Sequence, residues 1–313
     1  MPEPAIERKE AIVVVNPAAR RLPPKKRLDE ARSSLTERGW TVEWVQTSAP
    51  GEATPIAADA ARREIPLLVV CGGDGTINEA VNGLAGAETA LAVIPAGTVN
   101  LWAREAGLLK PPAEAVRLAV EGVRRRVDLG RAGDRYFLLM TGVGLDGAVA
   151  HGVSQRLKKR VGATAYALSA LRQALTYRPT RVTLSLDNEE RVIRLFMLIA
   201  GNTRNYAGLT QITSSAVVDD GWLDVCAYSG RGRWDVFWLA FLTLIRQHHR
   251  SKKVLLRRVR ELEIATQAAL PVQIDGDAFE GMVDRISLVP GALWVAVPRA
   301  LRSPLFGRPP ADP

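Results

Sequence analysis

Cysteine is nearly missing from this sequence: two occur in 313 residues, Cys71 and Cys226, each inside its own apolar run. With no second thiol nearby, neither a disulfide framework nor a cysteine metal site is expected, and the usage fits a reducing cytoplasm. Histidine is as scarce, and His151, His248 and His249 are too scattered from carboxylates to argue for a metal site. Long apolar runs are lacking too. The longest, Val236 to Ile245, is about half of what a membrane span needs. The opening residues are mostly charged or proline, with no apolar signal region. A chain that does not cross a bilayer and carries no export address is therefore expected.

Positive charge is what the sequence has in excess, with 42 Lys and Arg against 33 Asp and Glu and a formal net charge of +9. Such a surplus serves solubility, and it also favours anionic partners: nucleotide, nucleic acid or acidic lipid. Nucleic acid is set aside, because the charge forms no long basic stripe with interleaved aromatics. The length allows two domains.

The stretch that organises the chain is Leu67 to Leu84, L-L-V-V-C-G-G-D-G-T-I-N-E-A-V-N-G-L. Leu67 to Val70 suit a buried strand, three glycines then stop it, and Ile77, Ala80, Val81 and Leu84 form the stripe of a helix that Thr76 is placed to cap. Gly72, Gly73 and Gly75 leave backbone N–H groups unshielded at the positive end of that helix, which makes a phosphate cradle. Asp74 inside it would repel phosphate unless a metal lay between them, so the motif suggests Mg²⁺ with a nucleotide. The same residues also fit a tight turn between strand and helix. No Lys follows the glycines and G-x-G-x-x-G spacing is absent, against both the P-loop and the dinucleotide fingerprint.

Around this stretch, strands over Ala11–Val15, Thr41–Val45 and Ala90–Ile94 alternate with helices over Lys25–Arg38, Glu52–Arg63 and Glu114–Glu121. That order predicts a doubly wound parallel sheet with ligands at the carboxyl ends of its strands. Those ends are polar or glycine-rich: Asn16-Pro17, Gln46-Thr47-Ser48, Gly72 to Thr76, and Gly97 to Asn100. Thr47, Thr98 and Asn100 can each hydrogen-bond a base, ribose or phosphate, and each is also an ordinary turn residue.

After Arg124-Arg125-Arg126-Val127-Asp128 the character changes to short strand candidates separated by turns, including Tyr136–Met140, Arg181–Leu186, Val192–Ile199 and Leu223–Tyr228. Asp187-Asn188 marks a hairpin. A β-sandwich is expected, with helices added over Thr164–Tyr177 and Trp234–His248. The second helix carries Trp234, Phe237, Trp238, Phe241 and Ile245 near one face and is followed by cations, which suits a membrane interface or docking against a sheet.

Three motifs together resemble the diacylglycerol kinase catalytic domain family, specifically the bacterial lipid kinases: V-V-V-N-P at 13–17, G-G-D-G-T-I-N-E at 72–79 and I-P-A-G-T-V-N at 94–100. G-V-G-L-D-G at 142–147, L-K-K-R-V-G-A-T-A-Y at 157–166, D-D-G-W-L-D-V at 219–225 and V-Q-I-D-G-D at 272–277 follow in the family's order. The resemblance covers about residues 11 to 298. It implies an N-terminal α/β nucleotide-binding domain over 1–129, of the NAD kinase and phosphofructokinase kind, and a C-terminal β-sandwich lipid-substrate domain over 130–297. Residues 298–313 would pack back on the first.

The resemblance further implies ATP in a crevice between the two domains. The nucleotide would be held by Asn16, Pro17 and Thr47, by Gly72 to Thr76 with Asn78, and by Thr98. Asp74 would be linked to Mg²⁺, and Asp128 would assist through water, although it also fits pairing with the neighbouring arginines. Asp277 matches the family's catalytic base and Asp275 is the fallback; a solvated turn is the alternative for both. A second, structural Mg²⁺ would take a carboxylate oxygen from Asp220 and the backbone carbonyls of Val217 and Trp222. Lys158, Lys159 and Arg160 could meet phosphate or headgroup, or simply start a solvated helix.

Three departures stand out. N-P-A-A-R replaces the family's usual Ser-Gly after N-P, Y-A-G-L-T-Q-I-T at 206–213 replaces a glycine cluster, and D-G-D stands for D-G-E. The expected activity is phosphorylation of a diacylglycerol-like lipid alcohol by ATP and Mg²⁺, in the cytoplasm and peripherally at the inner membrane face, with a homodimer among the expected partners. Two other readings stay open: a kinase of soluble substrate resembling NAD kinase, and a nucleotide-binding regulator without catalysis.

Overall fold

Branched apolar runs ended by Pro or Gly become the central strands of a first compact unit. The structure, a computed structural model, describes residues 8–152, 172–174, 176–208 and 210–307. Lys158, Lys159, Arg160, the 162–166 motif and most of the helix expected from Thr164 lie outside the described residues, as does the tail beyond Gly307.

The chain divides into two compact units. One comprises residues through Leu129, Val217–Gly221 and the chain from Val289; the other comprises Gly130–Ala216 and Trp222–Leu288. In the first, the order is β1 (Glu10–Val15), α1 (Lys25–Thr36), β2 (Thr41–Gln46), α2 (Ala53–Arg62), β3 (Leu67–Gly72), α3 (Asp74–Leu84), β4 (Ala90–Pro95), α4 (Leu101–Glu105) and α5 (Pro112–Glu121). The strands lie β2-β1-β3-β4, all parallel, and Trp294 and Val295 pair in parallel with Ala90 and Leu91 on the free side of β4. That pairing goes with the placing of Val289 onward in the first unit, whereas the boundary that the resemblance implied ran to 297.

Alternate residues Ala11, Val13, Val15, Val69 and Ile94 pack with Ala31 and Leu35 of α1 and Val116 of α5. The intervening Ile12, Val14, Leu68 and Val70 are equally buried, because a parallel sheet with helical crossovers is covered on both faces. Each such side chain contributes about 2 kcal/mol of hydrophobic stabilisation. α1 stops at Thr36 rather than Arg38. Gly39 turns the chain at φ +78°, with its N–H on Thr36 O and that of Trp40 on Leu35 O.

The second unit is antiparallel. β5 (Val123–Ala132) leads into β6 (Arg135–Phe137), β7 (Met140–Gly144) and α6 (Leu145–Gly152). Then come β8 (Thr180–Leu186), β9 (Glu189–Gly201), β10 (Asn205–Tyr206), β11 (Thr210–Gln211), β12 (Leu223–Ser229) and α7 (Arg233–Leu244). β13 (Val254–Val259), β14 (Glu261–Ala265), β15 (Val272–Ile274), β16 (Asp277–Phe279) and β17 (Arg285–Val297) complete the order. Long β9 is the hub: its first half pairs with β8 through a turn at Asp187-Asn188, and its second half lies between β7 and β12. Val182, Leu184, Leu198, Val225, Leu262 and Ile286 fill one core with Phe137. The expected fold class, a parallel α/β unit followed by a β-sandwich unit, is what the chain adopts. No helix among the described residues is long and apolar enough to cross a membrane.

Candidate functional site

The order β2-β1-β3-β4 reverses its winding between β1 and β3, and open sheets bind ligands outside the carboxyl ends of strands at that reversal. Asn16 follows β1 there. Its Nδ2 donates to Thr76 Oγ1 at 2.8 Å, its Oδ1 accepts from Ala18 N–H at 2.9 Å, and its own N–H donates to Cys71 O. Exposed Pro17 comes next, while Thr47, at the end of β2, is buried and donates its N–H to Val15 O at 3.0 Å. α3 begins at Asp74 with Gly73 as its N-cap, three residues earlier than expected. Thr76 is therefore not the cap: its hydroxyl accepts from Asn16, and its own proton is left to donate.

The glycines are required by close approach. A Cβ on Gly72 would lie 2.7 Å from Thr76 Cβ, and one on Gly97 would lie 2.6 Å from Gly73 Cα. The two strand-end loops thus run Cα against Cα beside the N-terminus of an 11-residue helix, whose first N–H groups favour an anion. Gly75 is half-buried in the first turn of α3, Asn78 is buried one turn on with its carbonyl accepting from Asn82, and Thr98 is exposed on the facing loop. Asn100 adopts φ +52°. Its Oδ1 accepts from Gly97 N–H and its Nδ2 donates to Gly97 O, so it closes that loop on itself.

Asp74 sits between the loops. Its Oδ2 accepts from Leu101 N–H at 3.0 Å and its Oδ1 from Trp102 N–H at 3.3 Å, which fastens the start of α4. Burial pushes its carboxyl above the usual range, while these backbone bonds pull the other way. Asp128 plays a similar part: its oxygens accept from Gly221 and Gly291 N–H, each at 2.7 Å. Burial raises its carboxyl, and nearby Asp219 and Asp220 add to the rise. Asp219 accepts from Gly307 N–H at 2.7 Å and lies 3.6 Å from the buried Arg125 guanidinium. Val217 and Asp220 share this 217–221 segment of the first unit. Trp222 opens the following stretch, its ring beneath the Arg260 guanidinium at 4.8 Å. Among the described residues no three His, Cys, Asp or Glu side chains group to hold a metal; the set expected at 217–222 would rely on backbone carbonyls instead.

In the second unit the D-G-D motif forms the two-residue turn between β15 and β16, with Asp275 at φ +48° and Gly276 at +88°. Asp275 accepts three backbone N–H bonds at 2.9 Å, from Leu138 on Oδ2 and from Leu139 and Met140 on Oδ1. It braces a loop, whereas Asp277, half-buried, is the first residue of β16. A buried network beneath the turn escaped the sequence reading. Gln273 Oε1 accepts from Gly276 N–H at 2.6 Å, Gln273 Nε2 donates to Asp146 Oδ2 at 2.8 Å, and Tyr206 OH donates to Asp146 Oδ1. Burial raises the Asp146 carboxyl. One signal was present: Gln273 is a polar residue between the core residues Val272 and Ile274.

This pair of units defines a class. Residues 10–132 match the diacylglycerol kinase catalytic domain, and residues 140–297 match the YegS C-terminal NAD kinase beta sandwich-like domain. The chain is 31% identical over 291 residues to a protein of Chromohalobacter salexigens named "Probable lipid kinase YegS-like", covering 86% of this chain and 88% of that one. It is 27% identical over 278 residues to the diacylglycerol kinase of Bacillus subtilis, covering 88% and 91%. A crystal structure of a Bacillus anthracis diacylglycerol kinase shares the fold, with TM-score 0.73 and 21% identity over 95% of this chain and all of that one. The chain belongs to this family of diacylglycerol kinase-like bacterial lipid kinases.

Proposed function

We propose that the protein is an ATP- and Mg²⁺-dependent kinase of diacylglycerol or a similar lipid alcohol, working peripherally at the cytoplasmic face of the membrane. The observation that carries this reading is the close approach of Gly73 and Gly97 at the carboxyl ends of β3 and β4, where a Cβ on Gly97 would lie 2.6 Å from Gly73 Cα, beside the N-terminus of α3, whose N–H groups favour an anion. Such a cradle fits a triphosphate. Gly72, Gly73, Gly75 and Thr76 would hold its oxygens from one loop and Thr98 from the other, with Asn16 orienting the Thr76 hydroxyl. Mg²⁺, held near Asp74 through the lone pairs its backbone donors leave, would neutralise the phosphate charge. The 217–221 segment, with Asp220, would hold the structural ion.

The reaction breaks the bond from the γ-phosphorus to the β,γ-bridging oxygen and forms one to the lipid hydroxyl oxygen. The hydroxyl proton passes to Asp277, which must come within about 3 Å of that oxygen. Asp275 positions the turn that carries this base, and Asp128 acts by ordering the 221 and 291 loops.

Purified protein with labelled ATP, Mg²⁺ and mixed micelles of diacylglycerol, sphingosine or other lipid alcohols should yield labelled lipid phosphate, and NAD as acceptor should not. Labelled NAD phosphate, or nucleotide binding with no transfer to any acceptor, would replace this reading.

A further inference from the structure

The positive charge of the chain is not spread over it. Residues 231–260 hold nine Lys and Arg against the single Asp235, so a tenth of the sequence carries a net +8 of the formal +9. Exposed large apolar residues gather in the same stretch: Trp234, Trp238, Phe241, Leu244, Ile245 and Leu256 lie in it, against Leu109, Val192 and Met282 elsewhere among the described residues.

The two concentrations share one surface. α7 seats Val236, Leu239 and Thr243 inward, while Trp234 is 81% exposed, Trp238 56%, Phe241 50% and Leu244 68%. The outward residues recur at spacings of three and four, so they form one apolar stripe along the helix. Trp238 and Phe241 stack with ring centroids 5.8 Å apart, and Trp234 lies 6.4 Å from Phe237. The helix ends at Leu244, and Arg246 just past its C-cap turns the chain at φ +57°. Just beyond it opens a cavity of about 420 Å³ lined by Arg246, His249, Arg257 and Arg258 from the 3₁₀ turn His248–Arg250 and strand β13. Asp224 is the acidic residue of its lining, and it accepts from Ser215 Oγ and lies 3.7 Å from Arg258 Nε; Arg257 Nε reaches Glu189, outside the lining, at 3.2 Å, and Arg246 and His249 complete the cationic side.

We propose that this face docks the protein on an anionic phospholipid bilayer, with the α7 stripe entering the interfacial region and the cationic cavity receiving a headgroup phosphate. Indole rings favour that depth, and each basic residue near an anionic surface strengthens partitioning about fivefold. Nucleic acid would take the cations but would leave Leu244, Ile245 and Leu256 in water. The inference deepens the kinase reading, which requires access to a bilayer-resident hydroxyl, and it is tested without turnover so that either can fail alone.

The full chain is sedimented with vesicles of phosphatidylcholine, with and without about a third phosphatidylglycerol, omitting ATP and acceptor lipid. The expected result is binding to the anionic vesicles only, weakened by salt, with a blue shift of tryptophan emission. Trp238→Ala with Phe241→Ala, and separately Arg246→Glu, should each weaken it about tenfold. Their melting temperatures should match the wild type, since these side chains are exposed. Binding that ignores lipid charge or these substitutions overturns the proposal. So does a dimer that dissociates in the aromatic double variant without vesicle binding, which would assign the face to a second copy, or tighter binding to random-sequence RNA than to vesicles.

Discussion

In the first unit Asp74 follows two glycines and accepts N–H bonds from Leu101 and Trp102; in the second, Asp275 precedes a glycine and accepts three, from Leu138, Leu139 and Met140. Both aspartates hold a distant loop against a tight turn. What differs is the remainder. Near Asp74 lie the first turn of α3 and the Thr76 hydroxyl, which accepts from Asn16. Beside Asp275 a second carboxylate, Asp277, stands on a strand above a buried side-chain network. Under the proposed kinase reading one turn would receive charge and the other would take a proton, although both read as glycine with aspartate.

The contrast between the two acidic residues of D-G-D is the first thing to break. Asp277→Asn should lower turnover by about 10²–10⁴-fold, with unfolding free energy changed by about 1 kcal/mol or less. Asp275→Ala should do the reverse of this in stability, costing about 2–4 kcal/mol in urea unfolding because three inward N–H groups lose their acceptor. Equal loss of stability in both variants would end the distinction between brace and base.

Gly97→Val probes the other turn. Its new side chain would meet Gly73 Cα and Asn100 Oδ1 at under 3 Å, so the loops must part. Overpacking of this kind costs about 1–3 kcal/mol, and affinity for a fluorescent ATP analogue should fall by about 10- to 100-fold. Gly232→Ala, at a glycine with nothing near its Cβ position, is the matched control and should bind normally. Unchanged affinity in Gly97→Val would remove the cradle from the nucleotide reading.

Much of the first unit was legible because its strands are apolar runs stopped by Asn16-Pro17, Gly72 and Pro95, and because strand and helix patterns alternate. What periodicity does not show is partnership. Leu293 to Val297 reads as a strand, yet nothing in its letters says that Trp294 pairs with Ala90. Strand β13 was missed because Val254-Leu255-Leu256 gives way to Arg257-Arg258, charges that face out of the sheet edge. The same limit holds in the sites. A carboxylate in a glycine loop announces an anion site, but the Leu101 N–H that claims it comes from 27 residues away. Asp128 beside three arginines suggested ion pairing or help to a metal through water; that its oxygens also accept from Gly221 and Gly291, 93 and 163 residues away, is not written in its neighbourhood. Thr76 looked like a cap because capping is read locally, and its actual partner is Asn16.

The smallest effect tests whether the network under the D-G-D turn is only packing. Burial holds the Asp146 carboxyl above its ordinary 3.8, so the folded chain keeps that proton to higher pH than the unfolded chain does. Folding therefore takes up a proton between the two values, and this site's contribution to stability falls as pH rises through that window. Asp146→Asn cannot titrate, so the decline should flatten in urea unfolding measured from about pH 4 upward. Its amide would also set a second donor against Gln273 Nε2, favouring a turned-over Gln273 whose Oε1 no longer accepts from Gly276. Loss of that bond should cost about 1 kcal/mol and loosen the turn that carries Asp277, lowering kcat several-fold with KM for ATP unchanged. Gln273→Glu should keep an acceptor for Gly276 while losing the donor to Asp146, so it separates the two contributions. An Asp146→Asn variant with the wild-type pH slope and wild-type kcat would show that the turn stands without the network.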